Sequence, residues 1–258
     1  MTNNNKTTFL IKRLIIKRIY TIILCIEKYG MKKKAIILLS GGLDSTTCAA
    51  IAKDQGFELI GLTVNYGQNH AFELKASKKV ANHYNIDQHS IIDIDLAQFG
   101  GSALTSNKIK IPSGRRMSEM NDIPATYVPA RNTIFLSIAL AKAETVNSFD
   151  IFIGVNAIDY SGYPDCRPVF IAEFEKLANL ATKEAVQNKG SYKIHTPLIA
   201  LSKAEIIKKG ISLEVDYSIT SSCYKPNKYG NPCGFCDACI LRKKGFENAG
   251  FKDPLDYQ

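Results

Sequence analysis

Ala35-Ile36-Ile37-Leu38-Leu39-Ser40-Gly41-Gly42-Leu43-Asp44-Ser45 decides the fold: a bare apolar strand runs into two glycines and then into a helix. The helix reads from Asp44 to Gln55, with Cys48, Ile51 and Ala52 on one face and Gly56 as its stop. Paired glycines let backbone approach an anion. Ser, Thr and backbone N–H groups at a helix start donate to phosphate oxygens. The stretch therefore predicts a phosphate cradle. It is not a Walker loop, because that pattern needs GxxxxGK[ST] and no lysine follows here.

Outward from this loop the chain alternates strand and helix patterns. Glu58 to Asn65 reads as a second strand, Ala71 to Tyr84 as a helix, and His89 to Asp93 as a third strand. Arg131 to Val146 has helical spacing, and Ile151 to Val155 is a short buried strand. Pro168 opens a helix with Phe170, Phe174, Leu177, Ala178, Ala181 and Ala185 on one face. Ser202-Lys203-Ala204-Glu205 has the form of a capping box, with Gly210 ending that helix. Gly100 to Asn121 is polar and helix-poor and reads as a mobile flap. Such alternation predicts an α/β fold: an open, parallel, Rossmann-like sheet with helices on both faces and ligands beyond the strands' carboxyl ends.

The net charge of +9 is a nucleic-acid signal only until it is located. Residues 1–30 carry six Lys/Arg against Glu27, and Lys32, Lys33 and Lys34 add three more, which leaves +1 for residues 35–258. The body gives no electrostatic reason to bind RNA. Phe9 to Ile26 is apolar but broken by Lys12, Arg13, Lys17 and Arg18, so it is no bilayer span, and it lacks a signal-peptide cleavage pattern. Either it is an amphipathic basic helix that touches membrane, or Met31 is the working start. The latter reading is preferred: residues 1–30 as a leader outside the fold, 31–220 as a nucleotide-binding and substrate domain, and 221–258 as a four-cysteine segment.

Seven cysteines is an odd number, and four fall in Cys223-x9-Cys233-x2-Cys236-x2-Cys239. That clustering points to a metal site in a reducing compartment, the cytoplasm, rather than to disulfides. Four thiolates suit tetrahedral Zn²⁺; an Fe–S cluster is the alternative. With every position filled by protein the zinc would be structural.

SGGLDSTT resembles the PP-loop of the ATP pyrophosphatases. With the central GYPDCRPVF segment and a terminal CxxCxxC followed by LRKKGF, the chain from about Lys34 to Phe251 resembles the 7-cyano-7-deazaguanine (preQ0) synthase family of queuosine biosynthesis. The resemblance implies 7-carboxy-7-deazaguanine and ammonia as substrates, ATP with Mg²⁺, one zinc, and a homodimer; the nearly neutral body and the broken apolar run add the expectation of no nucleic-acid and no membrane partner. It also implies activation of a carboxylate by adenylation, then amide formation, then a second activation that leaves the nitrile.

Site residues follow from the motif positions. Leu38, Leu39, Ser40, Gly41, Gly42, Leu43, Asp44, Ser45, Thr46, Thr47 and Cys48 form the nucleotide loop, with Asp44 near Mg²⁺. Arg131, at a helix start, and Lys203, at a loop-to-helix junction, are candidate phosphate clamps beside Ser40, Asp44 and Ser45; the bland reading of each is a solvated charge. Asp159, Ser161, Gly162, Tyr163, Asp165 and Arg167 crowd a polar loop suited to a purine-like base, with an aspartate accepting from its N–H groups and Tyr163 stacking on its ring. Tyr66, Gln68, His70 and Glu73 follow the second strand and can face the ligand. Cys166 invites a covalent role, but adenylation already activates the carbonyl, so a packed thiol is the expectation. A PP-loop tRNA base-modifying enzyme and a non-enzymatic zinc module are the competing readings.

Overall fold

The computed structural model describes residues 32–69, 72–116, 119, 122–158 and 162–258, of which Lys34–Gln258 forms one compact unit. The leader, His70, Asp159 and Ser161 lie outside the described residues.

The first strand, β1 (Lys34–Leu38), leads through Ser40-Gly41-Gly42 into α1 (Leu43–Asp54). β2 (Glu58–Asn65), α2 (Phe72–His83) and β3 (His89–Asp93) follow, then α3 (Arg131–Thr145), β4 (Asp150–Phe152), α4 (Pro168–Ala181), the single turn α5 (Lys183–Val186), β5 (Lys193–His195), α6 (Lys203–Ser212) and α7 (Asp237–Ala249). Among the described residues the strands make one sheet in the order β3-β2-β1-β4-β5, parallel throughout. The order reverses between β1 and β4, so the crevice beyond their carboxyl ends is where a ligand belongs.

The period-two pattern of β1 shows why both faces are covered. Ala35, Ile37 and Leu39 pack with α1, with Ile206 and Ile207 of α6, and with Phe246 and Ala249 of α7. Ile36 and Leu38 point the other way, joining Leu136, Ala139 and Leu140 of α3 and Ile171, Phe174 and Ala178 of α4. Continuous apolar strands are what a sheet buried on both sides requires.

Several sequence expectations need correction. The β4 ladder stops at Phe152 rather than Val155, although Ile153 and Val155 remain buried as the chain turns toward the crevice. β5, only Lys-Ile-His, went unread. α4 ends at Ala181, so Ala185 packs from the separate turn α5, and within α4 Leu177 is half exposed rather than on the buried face. The capping box is present, with Ser202 accepting from the Glu205 N–H and the Glu205 carboxylate accepting from the Ser202 N–H. Gly210, however, does not end α6. It sits inside the helix, where a Cβ would come within 1.8 Å of the Tyr217 hydroxyl, so its role is close packing. The presumed flap is partly anchored: Ser102 to Thr105 are buried, Ser113 bridges to Cys236, and Arg115 forms an ion pair with Asp237. Among the described residues no helix is long and apolar enough to cross a membrane.

Candidate functional site

Gly41 adopts φ +79°, and a Cβ there would lie 2.3 Å from the Ser77 backbone nitrogen of α2. Only glycine permits both the turn and that approach. Gly42 then occupies the N-cap of α1 without a side-chain cap, leaving the helix start open toward the crevice. Hydroxyls ring this start. Ser40 Oγ is 3.0 Å from Ser45 Oγ and accepts from the Gly42 N–H at 3.3 Å, while Ser45 and Thr46 donate to the Gly42 carbonyl at 3.1 and 2.9 Å. Hydroxyls beside the first N–H groups and the helix dipole together suit a polyphosphate.

A strap from the far end of the chain closes over the loop. The Ser221 N–H donates to the Gly41 carbonyl at 2.9 Å, and Ser222 Oγ accepts from the Leu43 N–H at 3.4 Å. Arg242, buried in α7, fixes the root of that strap: it donates to Thr220 Oγ1 (2.7 Å), to the Tyr217 carbonyl (3.0 Å) and twice to Asp253 (2.8 and 3.0 Å).

A cavity of about 230 Å³ opens from the loop. Of the sequence-predicted residues, Leu38, Leu39, Ser40, Gly42, Leu43, Asp44, Ser45, Tyr66, Gln68, Tyr163 and Arg131 line it. The Arg131 guanidinium lies 5.6 Å from the Tyr66 ring centre and 5.8 Å from that of Phe135, and all three residues line the cavity together with Ser40. Tyr163 is buried, its hydroxyl 3.1 Å from Thr126 Oγ1. Gly41, Thr46, Thr47 and Cys48 support the loop from behind; the three side chains are fully buried.

Other predicted residues sit outside the lining. Lys203 Nζ donates to both oxygens of Asp44 at 2.8 and 2.9 Å and is itself buried, so it reaches the loop through that carboxylate. Asp165 is buried below the wall. One of its oxygens accepts from the Asn132 N–H at 3.0 Å and holds the start of α3; the other has no hydrogen-bond partner among the described residues. Gly162 packs on the Asp122 backbone, and Arg167 is an exposed residue at the N-cap of α4.

The walls include residues that sequence reasoning missed: Thr63, Asn132, Asn156, Ser221, Ser222 and Tyr224. Asn132 adjoins Arg131, and the two serines directly precede Cys223, so adjacency to a motif was their only signal. Cys166 also lines the cavity. Burial first, then Asp165, pushes its thiol up to about 12, so it stays protonated at neutral pH. Glu73, in the first turn of α2, is pushed up to about 7 by burial against the opposing pull of Arg131.

The four cysteines form a second centre. Their sulfurs lie within 4.8 Å of one another, with Cys233–Cys239 at 3.9 Å and Cys223–Cys236 at 4.0 Å. Zinc–sulfur bonds of about 2.3 Å place tetrahedral sulfurs about 3.8 Å apart, so the spacing fits that ion. Cys236 is the N-cap of α7 and Cys239 lies in its first turn.

Residues 34–250 match the family model described as queuosine biosynthesis protein QueC. A 7-cyano-7-deazaguanine synthase of Citrifermentans bemidjiense is 59% identical over 228 residues, covering 88% of this chain and 99% of the relative. Its namesake in Desulfatibacillum aliphaticivorans is 57% identical over 227 residues, covering 88% and 97%. Among solved structures, the NMN synthetase of Francisella tularensis is 18% identical, covers 88% of this chain and 81% of that one, and has a TM-score of 0.45, too slight a likeness to bear on chemistry.

Proposed function

The chain belongs to the queuosine biosynthesis protein QueC family, and we propose on that premise that it converts 7-carboxy-7-deazaguanine and ammonia to 7-cyano-7-deazaguanine using ATP. The observation that carries this reading is a single cavity shared by the uncapped glycine loop, Arg131 and the Tyr66–Tyr163 aromatic wall. An acid and an adenylyl donor can meet there.

A carboxylate resists ammonia because its charge is delocalised and oxide leaves poorly. Attack of a carboxylate oxygen on the α-phosphorus replaces oxide by AMP as leaving group and expels pyrophosphate. Ammonia then gives the amide; adenylation of the amide oxygen and loss of AMP leave the nitrile. The protein's task is positioning and charge stabilisation. Ser40, Ser45 and the N–H groups after Gly42 hold the leaving phosphates, Arg131 neutralises charge across the cavity, and Lys203 fixes the Asp44 carboxylate. Asp44 would be the residue to hold Mg²⁺, which would supply further charge neutralisation at the leaving phosphates. Cys223, Cys233, Cys236 and Cys239 would hold zinc, which would fix the end of the strap. The substrate base lies against Tyr66, Gln68 and Tyr163, and Asp165 acts from beneath the wall by holding the start of α3.

The domain reading is retained, with residues 221–258 contributing Ser221, Ser222 and Tyr224 to the cavity as well as the metal ligands. Exposed Val169, Leu177 and Leu180 share one face of α4 and support a homodimer; the clustered thiols suit the reducing cytoplasm. The test is product analysis. ATP, ammonia and 7-carboxy-7-deazaguanine should give AMP, pyrophosphate and the nitrile, with amide accumulating under limiting ATP. Failure of added amide to become nitrile rules out the two-stage order, and turnover on tRNA instead of the free base favours the base-modifying alternative.

A further inference from the structure

A smaller chamber of about 10 Å³ adjoins the main cavity and shares four of its wall residues, Tyr66, Gln68, Glu73 and Tyr224; Asn69 and Leu104 complete it. About 10–15 Å³ of such space holds one water molecule, and ammonia is of the same size. The walls are unusual for so small a void: one carboxyl, two primary amides and two phenol rings. Gln68 Oε1 accepts from the Tyr66 N–H at 2.9 Å, and Asn69 donates its amide to the Ala103 carbonyl at 3.2 Å, so both side chains are fixed in place. Among the described residues two carboxylates line the main cavity, Asp44 and Glu73. Asp44 is bonded to Lys203, and Glu73 is the carboxyl that the cavity and the chamber share.

We propose that this chamber is an ammonium-binding subsite in which Glu73 takes a proton from ammonium and releases ammonia to the adenylated acid in the adjoining cavity. The assignment rests on the reading of the main site given above. Ammonia is mostly ammonium at neutral pH and has no lone pair to attack with until it loses a proton. A carboxylate beside aromatic faces binds that cation and deprotonates it. The free lone pair forms the C–N bond, the acyl C–O bond breaks with its electrons leaving on AMP, and the proton shed by the attacking nitrogen passes to the AMP phosphate. The groups facing Glu73 are Arg131 from α3, Tyr66 from the end of β2, and Tyr224 from the strap, with Tyr163 beyond Tyr66. Burial outweighs Arg131, so the carboxyl exchanges its proton at about 7, where a base working at neutral pH is most effective.

The experiment compares wild type with Glu73→Gln in two assays. ATP–pyrophosphate exchange supported by 7-carboxy-7-deazaguanine reports adenylation without ammonia. Amide formation is followed against pH at constant total ammonium, where a carboxylate acting on ammonium gives an acid limb near pH 7. In Glu73→Gln amide formation should fall about 100-fold or more relative to exchange and lose the plateau above pH 7, its residual rate climbing with free ammonia instead. Hydroxylamine, which carries no surplus proton near neutrality, should restore most of the rate as hydroxamate. Unchanged ammonia dependence and pH profile in the variant overturn the subsite. Should Glu73→Gln lose exchange as well, Glu73→Asp decides: recovery of exchange with a shifted acid limb supports the subsite, and recovery of exchange with an unshifted limb overturns it. Absence of exchange in wild type overturns instead the function on which the subsite rests.

Discussion

Replacing Arg242 by Met should destabilise the protein by about 3 kcal/mol, the lower end of what removing one partner of a buried ion pair costs. Both side chains are buried, Arg242 at 3% and Asp253 at 9% exposure. The lower end applies because Asp253 is not abandoned: it still accepts from the Tyr257 hydroxyl at 2.6 Å and the Leu255 N–H at 3.2 Å. Met fills much of the volume and keeps contact with Phe246, whose ring centre lies 5.4 Å from the guanidinium. For a unit of this size about 3 kcal/mol corresponds to roughly 6–12 °C in Tm. The loss should reach the nucleotide site, because Arg242 also ties down Thr220 and the Tyr217 carbonyl at the root of the Ser221–Ser222 strap. The assays are urea unfolding of zinc-loaded protein and titration with a non-hydrolysable ATP analogue. Arg242→Met should weaken analogue binding several-fold, and the double variant with Asp253→Asn should recover at least about 1 kcal/mol relative to the sum of the singles. A single variant within 1 kcal/mol of wild type, or additive singles, would refute the claim that this pair anchors the strap.

Three further perturbations probe the same construction. Gly41→Ala forces a Cβ to within 2.3 Å of the Ser77 nitrogen at a φ of +79°; it should abolish adenylation and lower stability by several kcal/mol, read by exchange and thermal melting. Cys166→Ala should retain turnover, since the thiol is held protonated by burial; loss of turnover with normal ATP-analogue binding would reinstate a covalent role. Removing metal with a chelator should release one zinc and withdraw as much as about 10–16 kcal/mol of apparent folding free energy. Hydrogen exchange should then rise first in α7 and the strap; unchanged protection there would deny the metal its structural part.

The phosphate loop, the boundaries of β2 and β3, and the capping box of α6 were legible because each depends on residues adjacent in sequence. A strand announces itself by a run of apolar residues, a cap by Ser and Glu three positions apart, and a glycine turn by the turn itself. The four cysteines belong to the same class, since two CxxC steps leave little freedom. β5 was not legible because three residues cannot display a period, and its partner β4 supplies the ladder that makes Lys193–His195 a strand at all. Gly210 was misread for a related reason. A glycine near the end of a helical pattern looks like a stop, yet its cause is the hydroxyl of Tyr217, which also contacts Thr47 Oγ1 at 2.8 Å, across 170 positions. The strap is the extreme case. Ser222 lies 179 residues from Leu43, and nothing in the pair Ser221-Ser222 distinguishes it from any polar turn. What makes those serines part of the site is that the adjacent Cys223 shares a centre with cysteines on α7, and that α7 is packed into the same core as α1. The cysteine cluster thus fixes one end of a segment whose other contacts set the mouth of the phosphate loop.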